Sequence, residues 1–154
     1  MMTKKDKYIA SLREIGIRLE KGGDLIADLG NIAAILKKRL GYYWIGFYFI
    51  RSEGLVLGPF QGTPACVHLP FDTGVCAACV REKKTLVVPD VMAFKNHIAC
   101  DPNSKSEIVV PFFDKKGEIR AVLDMDHSEK NAFDATDQEY LEELELSVRD
   151  IWGD

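Results

Sequence analysis

Two side chains that could do chemistry together stand near each other in NHIACDPNSKSEIVVP, residues 96–111. Cys100 lies in a polar segment with proline and serine, and Glu107 opens the apolar run that follows. Functional groups concentrate in loops, so this thiol is a candidate nucleophile. A protonated His97 would favour the thiolate, whereas neighbouring carboxylates would oppose it. The carboxyl group of Glu107 is a candidate proton donor.

Two further carboxylates are predicted to lie beside Glu107 across a β-hairpin. Residues 114–117, Asp-Lys-Lys-Gly, form a turn signal between two alternating runs. With the two lysines as the loop, Glu107 lies opposite Asp124, and Asp126 follows on the same face. The other face is apolar and is predicted to be core; it carries Ile108, Val110, Phe112, Ile119, Ala121, Leu123 and Met125.

Crowding of the three carboxylates has a chemical consequence. Like charges raise the pKa of at least one member of such a set, and this keeps a proton donor available near neutral pH. The alternative is an ordinary solvated face, with Arg120 or Lys105 neutralising the acids. Both interpretations stay open at the level of the sequence.

Two aromatic residues on the first predicted strand could complete a ligand site. Trp44 and Tyr48 are four residues apart, so their side chains share a face. Core packing is the default for strand aromatics. If that face adjoins the carboxylates, rings and acids together form a box for a small cationic ligand, such as the ammonium group of a free amino acid. A thiol beside such a box would suit the reduction of an oxidised amino acid, for example a sulfoxide.

The cysteines allow three interpretations. The start of the chain has no apolar signal segment, so a reducing cytoplasmic location is expected, and structural disulfides of the secreted kind are not. In that compartment a thiol is a buried structural group, a metal ligand or a redox group. The residues concerned are Cys66, Cys76, Cys79 and Cys100.

Cys76 and Cys79 form a C-x-x-C motif. A zinc site normally needs a second such pair or matching histidines. His97 and Cys100 could supply two more ligands, and this set stays open, although no metal is predicted. A thioredoxin-like motif needs a strand leading into the helix and an exposed first cysteine. The Ala-rich context favours a small buried helix residue, at least for Cys79.

Length and charge limit the possible partners. The chain has 154 residues, 47% of them hydrophobic, which predicts one globular domain over residues 1–154. A net charge of -4 without a cluster of lysine and arginine argues against nucleic acid and anionic membranes. No apolar run reaches the roughly 18 residues of a membrane span. Small molecules and proteins remain as partners.

Two helices are predicted at the N-terminus. Apolar residues recur at helical spacing over 8–19 until a Gly-Gly pair at 22–23. Asp24 is a candidate N-cap for a second helix, which Gly41 ends.

The remaining pattern completes an α+β architecture. The aromatic and β-branched run at 42–50 predicts a strand buried on both faces. Short strands are predicted in GLVLGPFQG, ACVHLPF and TLVVPD, and a helix in GVCAACVREKK. Thr136 and Glu139 predict a capping box for a terminal helix through Val148.

Three motifs carry a family resemblance. GPFQGTPACVHLPFDTGVCAA, VVPDVMAFKNHIACDPNSKSEIVVP and AVLDMDH together resemble the GAF-domain free methionine-(R)-sulfoxide reductases. The resemblance extends over essentially the whole chain. It implies an α+β GAF fold, with a central antiparallel sheet and the N- and C-terminal helices packed on one face.

The resemblance also implies roles for individual residues. Cys100 would attack the sulfoxide, Cys66 would resolve the resulting sulfenic acid as a disulfide, and Cys76 would form or relay an alternative disulfide. Thioredoxin would restore the thiols, and no bound cofactor is expected. The implied assembly is a homodimer. The implied substrate site consists of Trp44 and Tyr48 around the substrate methyl group, with the acidic set Glu107, Asp124 and Asp126.

Some features depart from the family pattern. Cys79 does not belong to the cysteine trio of the family, and Asp72 and Asn96 stand where glycine is expected. Asn96 tolerates the left-handed conformation better than most residues. Two other functions stay open from the sequence: a noncatalytic GAF ligand sensor or thiol redox switch, and a zinc-binding module.

Overall fold

An antiparallel sheet lies at the centre of the computed structural model, which describes residues 1–98 and 100–153. Ala99 of the HIACD motif and Asp154 lie outside the described residues. The strand order across the sheet is β3-β2-β1-β6-β5-β4. The strands are β1 (Trp44–Arg51), β2 (Gly54–Gln61), β3 (His68–Leu69), β4 (Leu86–Val88), β5 (Ser106–Phe113) and β6 (Ile119–His127).

The α-helices are α1 (Lys4–Leu19), α2 (Leu25–Leu40), α3 (Val75–Glu82) and α4 (Ala135–Ser147). Short 3-10 turns follow β4 at Val91–Ala93 and α4 at Arg149–Trp152. Within the described residues, no helix combines the length and the apolar character needed to cross a membrane.

The predicted limits of α2 are confirmed. The side chain of Asp24 accepts a hydrogen bond from the Ala27 N–H at 3.0 Å, which satisfies one of the free donors at the start of the helix. Gly41 ends the helix in the left-handed conformation, with φ 74°. Both ends of α2 are therefore set by local chemistry that the sequence displays.

Helices cover both faces of the sheet, and each face has its own apolar cluster. The larger cluster joins one face to α1, α2 and α4, as predicted for the terminal helices. The smaller cluster lies on the other face, under α3. The predicted core face of the hairpin is confirmed for Ile108, Val110, Phe112, Ala121, Leu123 and Met125. Ile119 is an exception and packs against the smaller cluster. Phe112 pairs with Ala121 and Phe113 with Ile119, so Arg120 is an extra residue on β6, and this irregularity reverses the side of Ile119.

The predicted register of the hairpin is wrong by two residues. Glu107 pairs with Asp126, and Asp124 pairs with Val109. The loop is longer than assumed, because the Asp114 N–H donates to the Glu118 carbonyl oxygen at 2.8 Å. A shift by two residues keeps each side chain on the same face, since the period of a strand is two. The three carboxylates therefore still share one face.

The capping box of α4 also differs from the prediction. Asp134, and not Thr136, is the N-cap, and Asp137, and not Glu139, completes the box. The side chain of Asp134 accepts from the Thr136 N–H at 2.9 Å, while the Asp137 carboxylate accepts from the Asp134 N–H at 2.9 Å. Aspartate caps a helix as well as threonine does, so the helix starts at the earlier acceptor.

Asp137 ties the N-terminal helix to the C-terminal one. Its carboxylate has no exposed surface and accepts hydrogen bonds from the Tyr8 hydroxyl, from the Tyr42 hydroxyl at 2.6 Å and from Lys4 Nζ at 2.7 Å. Replacing Asp137 with alanine is expected to lower the free energy of unfolding by about 3 kcal/mol, because it leaves buried donors without an acceptor. Urea denaturation followed by circular dichroism measures the change.

Glu139 provides the matched control on the same helix. Its side chain is exposed, and it is not the residue that completes the observed capping box. The Glu139→Ala variant is expected to change the free energy of unfolding by less than about 0.5 kcal/mol. Equal destabilisation by the two substitutions would contradict the structural role of Asp137.

Candidate active site

A cavity of about 660 Å³, including its open mouth, lies on the α3 side of the sheet. Its floor is formed by β1, β5 and β6, where they carry aromatic and acidic side chains. Its walls are the segment at 63–65, the start of α3 and the segment around Cys100. Most of the residues singled out for chemistry in the sequence line this cavity: Trp44, Tyr48, Cys76, His97, Cys100, Glu107, Asp124 and Asp126.

Two neighbouring strands bring the three carboxylates together beside β1. Glu107 on β5 lies beside Asp126 on β6, and Asp126 in turn pairs with Trp44 on β1. Asp124 pairs with Gly46 on the same strand, one step along the cavity floor. The two residues Glu107 and Asp124 are buried, with 6% and 7% of their surface exposed, and Asp126 is partly buried. The acids therefore line a largely buried site, as the ligand-box interpretation requires.

The alternative of a solvated, neutralised acidic face is wrong. Arg120 pairs with Asp114 at the opposite end of the hairpin, with 3.4 Å between Nη1 and Oδ2. Lys105 is exposed and does not line the cavity. Among the described residues, no lysine or arginine lines it. The acids therefore have no cationic side chain as a neighbour in the site, which suits a cationic ligand.

Burial without a counter-ion makes the carboxyl groups weak acids. Burial raises the pKa of Glu107 to about 8, and the neighbouring charge of Asp126 adds to the shift. Burial also raises the pKa of Asp124 and of Asp126 above the ordinary value, with added repulsion from Glu107 and Asp124 respectively. The site thus holds protons at neutral pH, which is what a proton donor requires.

The aromatic rings lie on the same floor, as the alternation along β1 predicts. The rings of Trp44 and Tyr48 stack with their centroids 6.2 Å apart, and Trp44 also stacks on Phe60 at 5.3 Å. Gly46 lies between them on the strand. A Cβ atom at Gly46 would come within 2.6 Å of the Trp44 ring, so only glycine at this position leaves room for the indole.

The polar ends of both rings hold the segment that carries Cys66. The Trp44 Nε1–H donates to the carbonyl oxygen of Thr63 at 2.9 Å. The Tyr48 hydroxyl donates to the carbonyl oxygen of Cys66 at 2.8 Å. The same aromatic residues therefore line the cavity and fix the segment that carries Cys66.

Cys66 and Cys100 form a disulfide at the edge of the cavity. They are 34 residues apart in the chain, and their Cα atoms are 5.6 Å apart. Both side chains are partly buried and pack against the smaller apolar cluster. The structure thus brings together the two cysteines to which the resemblance assigned nucleophilic and resolving roles.

Cys76 lies deeper, in the first turn of α3. Its Sγ and one oxygen each of Glu107 and Asp124 all lie within 4.8 Å of one another. Burial raises the pKa of the Cys76 thiol, and the neighbouring acids raise it further. The group is therefore a neutral thiol and a poorer nucleophile than an exposed cysteine.

Cys79, the second cysteine of the C-x-x-C motif, is not among the residues that line the cavity. The Cys79 thiol is buried and lies 3.7 Å from the carbonyl oxygen of Val109, as a weak hydrogen bond. Burial raises the pKa of this thiol as well. The prediction of a small buried helix residue is confirmed. Among the described residues, the potential metal ligands that lie close together are Cys76, Glu107 and Asp124. The zinc-ligand set considered from the sequence, which joined Cys76 to Cys79, His97 and Cys100, is not among such groups.

His97 does not support the thiolate in the way the sequence suggested. Partial burial lowers the pKa of its imidazole, so the charged ring is disfavoured at neutral pH. Its Nδ1 atom is buried without a hydrogen-bond partner in the described residues, and so is Oδ1 of Asp124. Both residues line the cavity, so they offer free polar atoms to a polar ligand.

Sequence reasoning missed the residues that fix the Cys100 segment. Asp101 accepts hydrogen bonds from the Tyr43 hydroxyl and the Thr63 hydroxyl, each at 2.9 Å. Ser104 Oγ donates to Asp126 Oδ1 at 3.1 Å. The one local signal was Asp-Pro-Asn, a turn motif in which aspartate accepts from the backbone two residues on. No local pattern in the sequence indicates that the hydroxyls of Tyr43 and Thr63 donate to Asp101.

Asn96 and Asp72, which stand where glycine is expected, differ in backbone conformation. Asn96 has φ 62°, in the left-handed region, as its residue type suggested. Its carbonyl oxygen accepts from the Gly74 N–H at 2.8 Å, which ties this segment to the start of α3. Asp72 is not among the residues with positive φ, so its position needs no glycine.

Comparisons with known proteins show what the chain is similar to. The family model described as GAF domain matches residues 29–148. A protein of Escherichia coli named free methionine-R-sulfoxide reductase is 38% identical, over 97% of this chain and 91% of its own length. The structure of free methionine-R-sulfoxide reductase from Neisseria meningitidis in complex with its substrate is 41% identical, with a TM-score of 0.95, over 99% of this chain and 92% of that one. The structure of fRMsr of Staphylococcus aureus in its reduced form is 44% identical, with a TM-score of 0.88, over 94% of both chains.

Proposed function

Because the chain belongs to the GAF domain family and, within it, to the free methionine-R-sulfoxide reductases, we propose that it reduces free methionine-(R)-sulfoxide to methionine. Membership makes it an oxidoreductase and confirms the fold class that the sequence resemblance implied. One observation of the site carries the proposal. The Cys66–Cys100 pair lies at the edge of a cavity whose lining includes the rings of Trp44 and Tyr48 and the carboxyl groups of Glu107, Asp124 and Asp126.

Cys100 is the nucleophile of the proposed first step. Its thiolate attacks the sulfur of the sulfoxide and forms a sulfur–sulfur bond, while a carboxyl group of the cavity protonates the sulfoxide oxygen. The hydroxyl group then passes to the Cys100 sulfur, as the bonds from the substrate sulfur to oxygen and to Cys100 break. Methionine leaves, and Cys100 remains as a sulfenic acid. The sulfoxide is reduced by two electrons, and the cysteine is oxidised by two.

Glu107 is the proposed proton donor, because burial raises its pKa to about 8. A carboxylic acid with this pKa is protonated at neutral pH and still transfers its proton readily. Asp124 and Asp126 are proposed to face the ammonium group of the substrate. A bound cation compensates their mutual repulsion, so substrate binding favours their ionised forms. Trp44 and Tyr48 are proposed to surround the methyl group.

The cycle closes through a disulfide. Cys66 attacks the sulfenic acid, a sulfur–sulfur bond forms, and the oxygen leaves as water. A dithiol of the thioredoxin type then reduces the disulfide by exchange. Cys76 is proposed as an alternative disulfide partner of Cys100. It reacts more slowly than Cys66, because burial raises the pKa of its thiol. Thioredoxin as the natural reductant, a homodimer and a cytoplasmic location stay predictions.

A direct assay tests the function. The protein is incubated with free methionine-(R)-sulfoxide and dithiothreitol, and methionine is measured by chromatography. Catalytic release of methionine is expected, whereas the (S)-sulfoxide should serve as a poor substrate. Binding of the sulfoxide without release of methionine would instead favour a noncatalytic ligand sensor.

Cys66→Ser separates the first step from the recycling step. The variant retains Cys100 and the acidic set, so it should release one methionine per protein chain in a rapid burst. Steady-state turnover with thioredoxin should then fall about tenfold or more, because the sulfenic acid lacks its resolving thiol. Quenched-flow measurement of methionine gives both quantities. Steady-state turnover at the wild-type rate would contradict the role of Cys66.

A further inference from the structure

We propose that Asp101 is a positioning residue for disulfide closure, because its carboxylate joins the segment of Cys100 to the segment of Cys66 through Thr63. The inference rests on the function proposed above, since it concerns the step after methionine release. In this role, Asp101 neither transfers a proton nor contacts the substrate.

The geometry of this bridge is simple. Asp101 directly follows Cys100, and Thr63 precedes Cys66 by three residues. Oδ2 of Asp101 accepts from the Thr63 hydroxyl at 2.9 Å and from the Tyr43 hydroxyl at 2.9 Å. Oδ1 accepts from the Asn103 N–H at 2.9 Å, which fixes the carboxylate within its own turn. One side chain thus connects both cysteine-bearing segments and the residue before β1.

The hydrogen bonds of the bridge involve neither sulfur atom. A disulfide holds the two segments together only while it exists, whereas hydrogen bonds to Asp101 need neither sulfur. Disulfide formation requires a narrow range of Cα separations, and here that separation is 5.6 Å. Holding two reacting groups in such a geometry raises their effective concentration. The bridge therefore keeps Cys66 within reach when Cys100 is reduced or oxidised to the sulfenic acid.

Charge strengthens these contacts. The hydrogen bond from the Asn103 backbone holds the pKa of Asp101 below its ordinary value, and the Thr63 and Tyr43 hydroxyls act in the same direction. The group is ionised at neutral pH, and hydrogen bonds to an ionised acceptor are stronger than those between neutral groups. In the same cavity, Glu107, Asp124 and Asp126 have raised pKa values. The pKa of Asp101 is thus shifted in the opposite direction to those of the acids proposed to bind or protonate the substrate.

The step that the bridge assists can be written in full. The Cys66 sulfur attacks the Cys100 sulfur, the new sulfur–sulfur bond forms, and the sulfur–oxygen bond of the sulfenic acid breaks. The hydroxyl group leaves as water with the proton of the Cys66 thiol. If the two segments separate, this step slows, and the sulfenic acid stays open to further oxidation to the sulfinic acid.

Thr63→Val tests the bridge with little other change. Valine keeps the shape of threonine but has no hydroxyl, and the carbonyl oxygen that accepts from the Trp44 indole remains. Because Thr63 also lines the cavity, methionine release in the first turnover is measured as the reference, and closure should slow more than release does. Closure of the disulfide should slow about tenfold, the effect of losing one hydrogen bond to a charged group. The sulfenic acid should therefore accumulate and be trapped by dimedone, as detected by mass spectrometry. Thr63→Ser restores the hydroxyl and should restore fast closure.

The outcomes separate this inference from the proposed function. Closure is also measured after Cys100 is oxidised with hydrogen peroxide, so the test does not depend on reduction of methionine sulfoxide. Wild-type closure rates in Thr63→Val with either oxidant would overturn the inference. Equal slowing of methionine release and closure would also overturn it, since the bridge would then shape the whole site. Absence of methionine release from the wild-type protein would instead refute the proposed function.

Discussion

Replacing Cys100 with serine is expected to lower methionine release to less than about one-thousandth of the wild-type rate. A hydroxyl group is not ionised at neutral pH and does not accept the oxygen of a sulfoxide as a thiolate does. The cavity itself should remain, because its acids and rings are on β1, β5 and β6. Binding of methionine, measured by calorimetry, should therefore persist in a variant that has lost turnover.

Cys79→Ser is the matched control for this substitution. Cys79 is also a cysteine near the site, but its thiol is buried against the carbonyl oxygen of Val109. A serine hydroxyl can make that hydrogen bond, so turnover should change less than about threefold. Retained turnover in Cys100→Ser would refute the mechanism. Equal loss in both variants would show that packing, rather than nucleophilic attack, limits the reaction.

The elements of the fold could be predicted because their signals are local. Asp24 and Gly41 display the two ends of α2, and the alternation along the hairpin separates its apolar face from its acidic one. That alternation also explains why a wrong register still placed Glu107 with Asp124 and Asp126. An error of two residues moves side chains along a strand without changing their face.

The remaining features depend on contacts between distant parts of the chain. The bridge from Asp101 to Tyr43 and Thr63 joins residues 58 and 38 positions apart. The burial that raises the pKa of the acids comes from α3 and the loops that cover the sheet, and strand periodicity does not report it. The cap of α4 was misplaced for a different reason. Two acceptors two residues apart both fit the capping pattern, and the earlier one begins the helix.

Glu107→Gln is expected to slow the first reduction step about a hundredfold, because glutamine keeps the shape of the side chain but carries no acidic proton. In the wild-type protein the same step should fall as the pH rises through about 8, where Glu107 loses its proton. This alkaline decline should be absent from the variant. Single-turnover methionine release between pH 6 and 10 measures both effects. Glu118→Gln, an exposed substitution on the hairpin loop, should leave the profile unchanged.

Glu107→Gln, which slows the reaction, should at the same time make the folded protein more stable than wild type at alkaline pH. Burial raises the pKa of Glu107 from its ordinary value of 4.5 to about 8, so the folded state binds this proton more tightly than the unfolded state does. The contribution of Glu107 to the free energy of unfolding therefore falls as the pH rises from about 4.5 to 8, because the carboxyl group is deprotonated in the unfolded state while it stays protonated in the folded state. Glutamine removes this term, so Glu107→Gln should become more stable relative to wild type as the pH rises through this range. Urea denaturation at pH 5 and pH 9 measures the difference. An equal difference at both pH values would mean that Glu107 is ionised in the folded protein, and the proton donor would have to be another acid of the set.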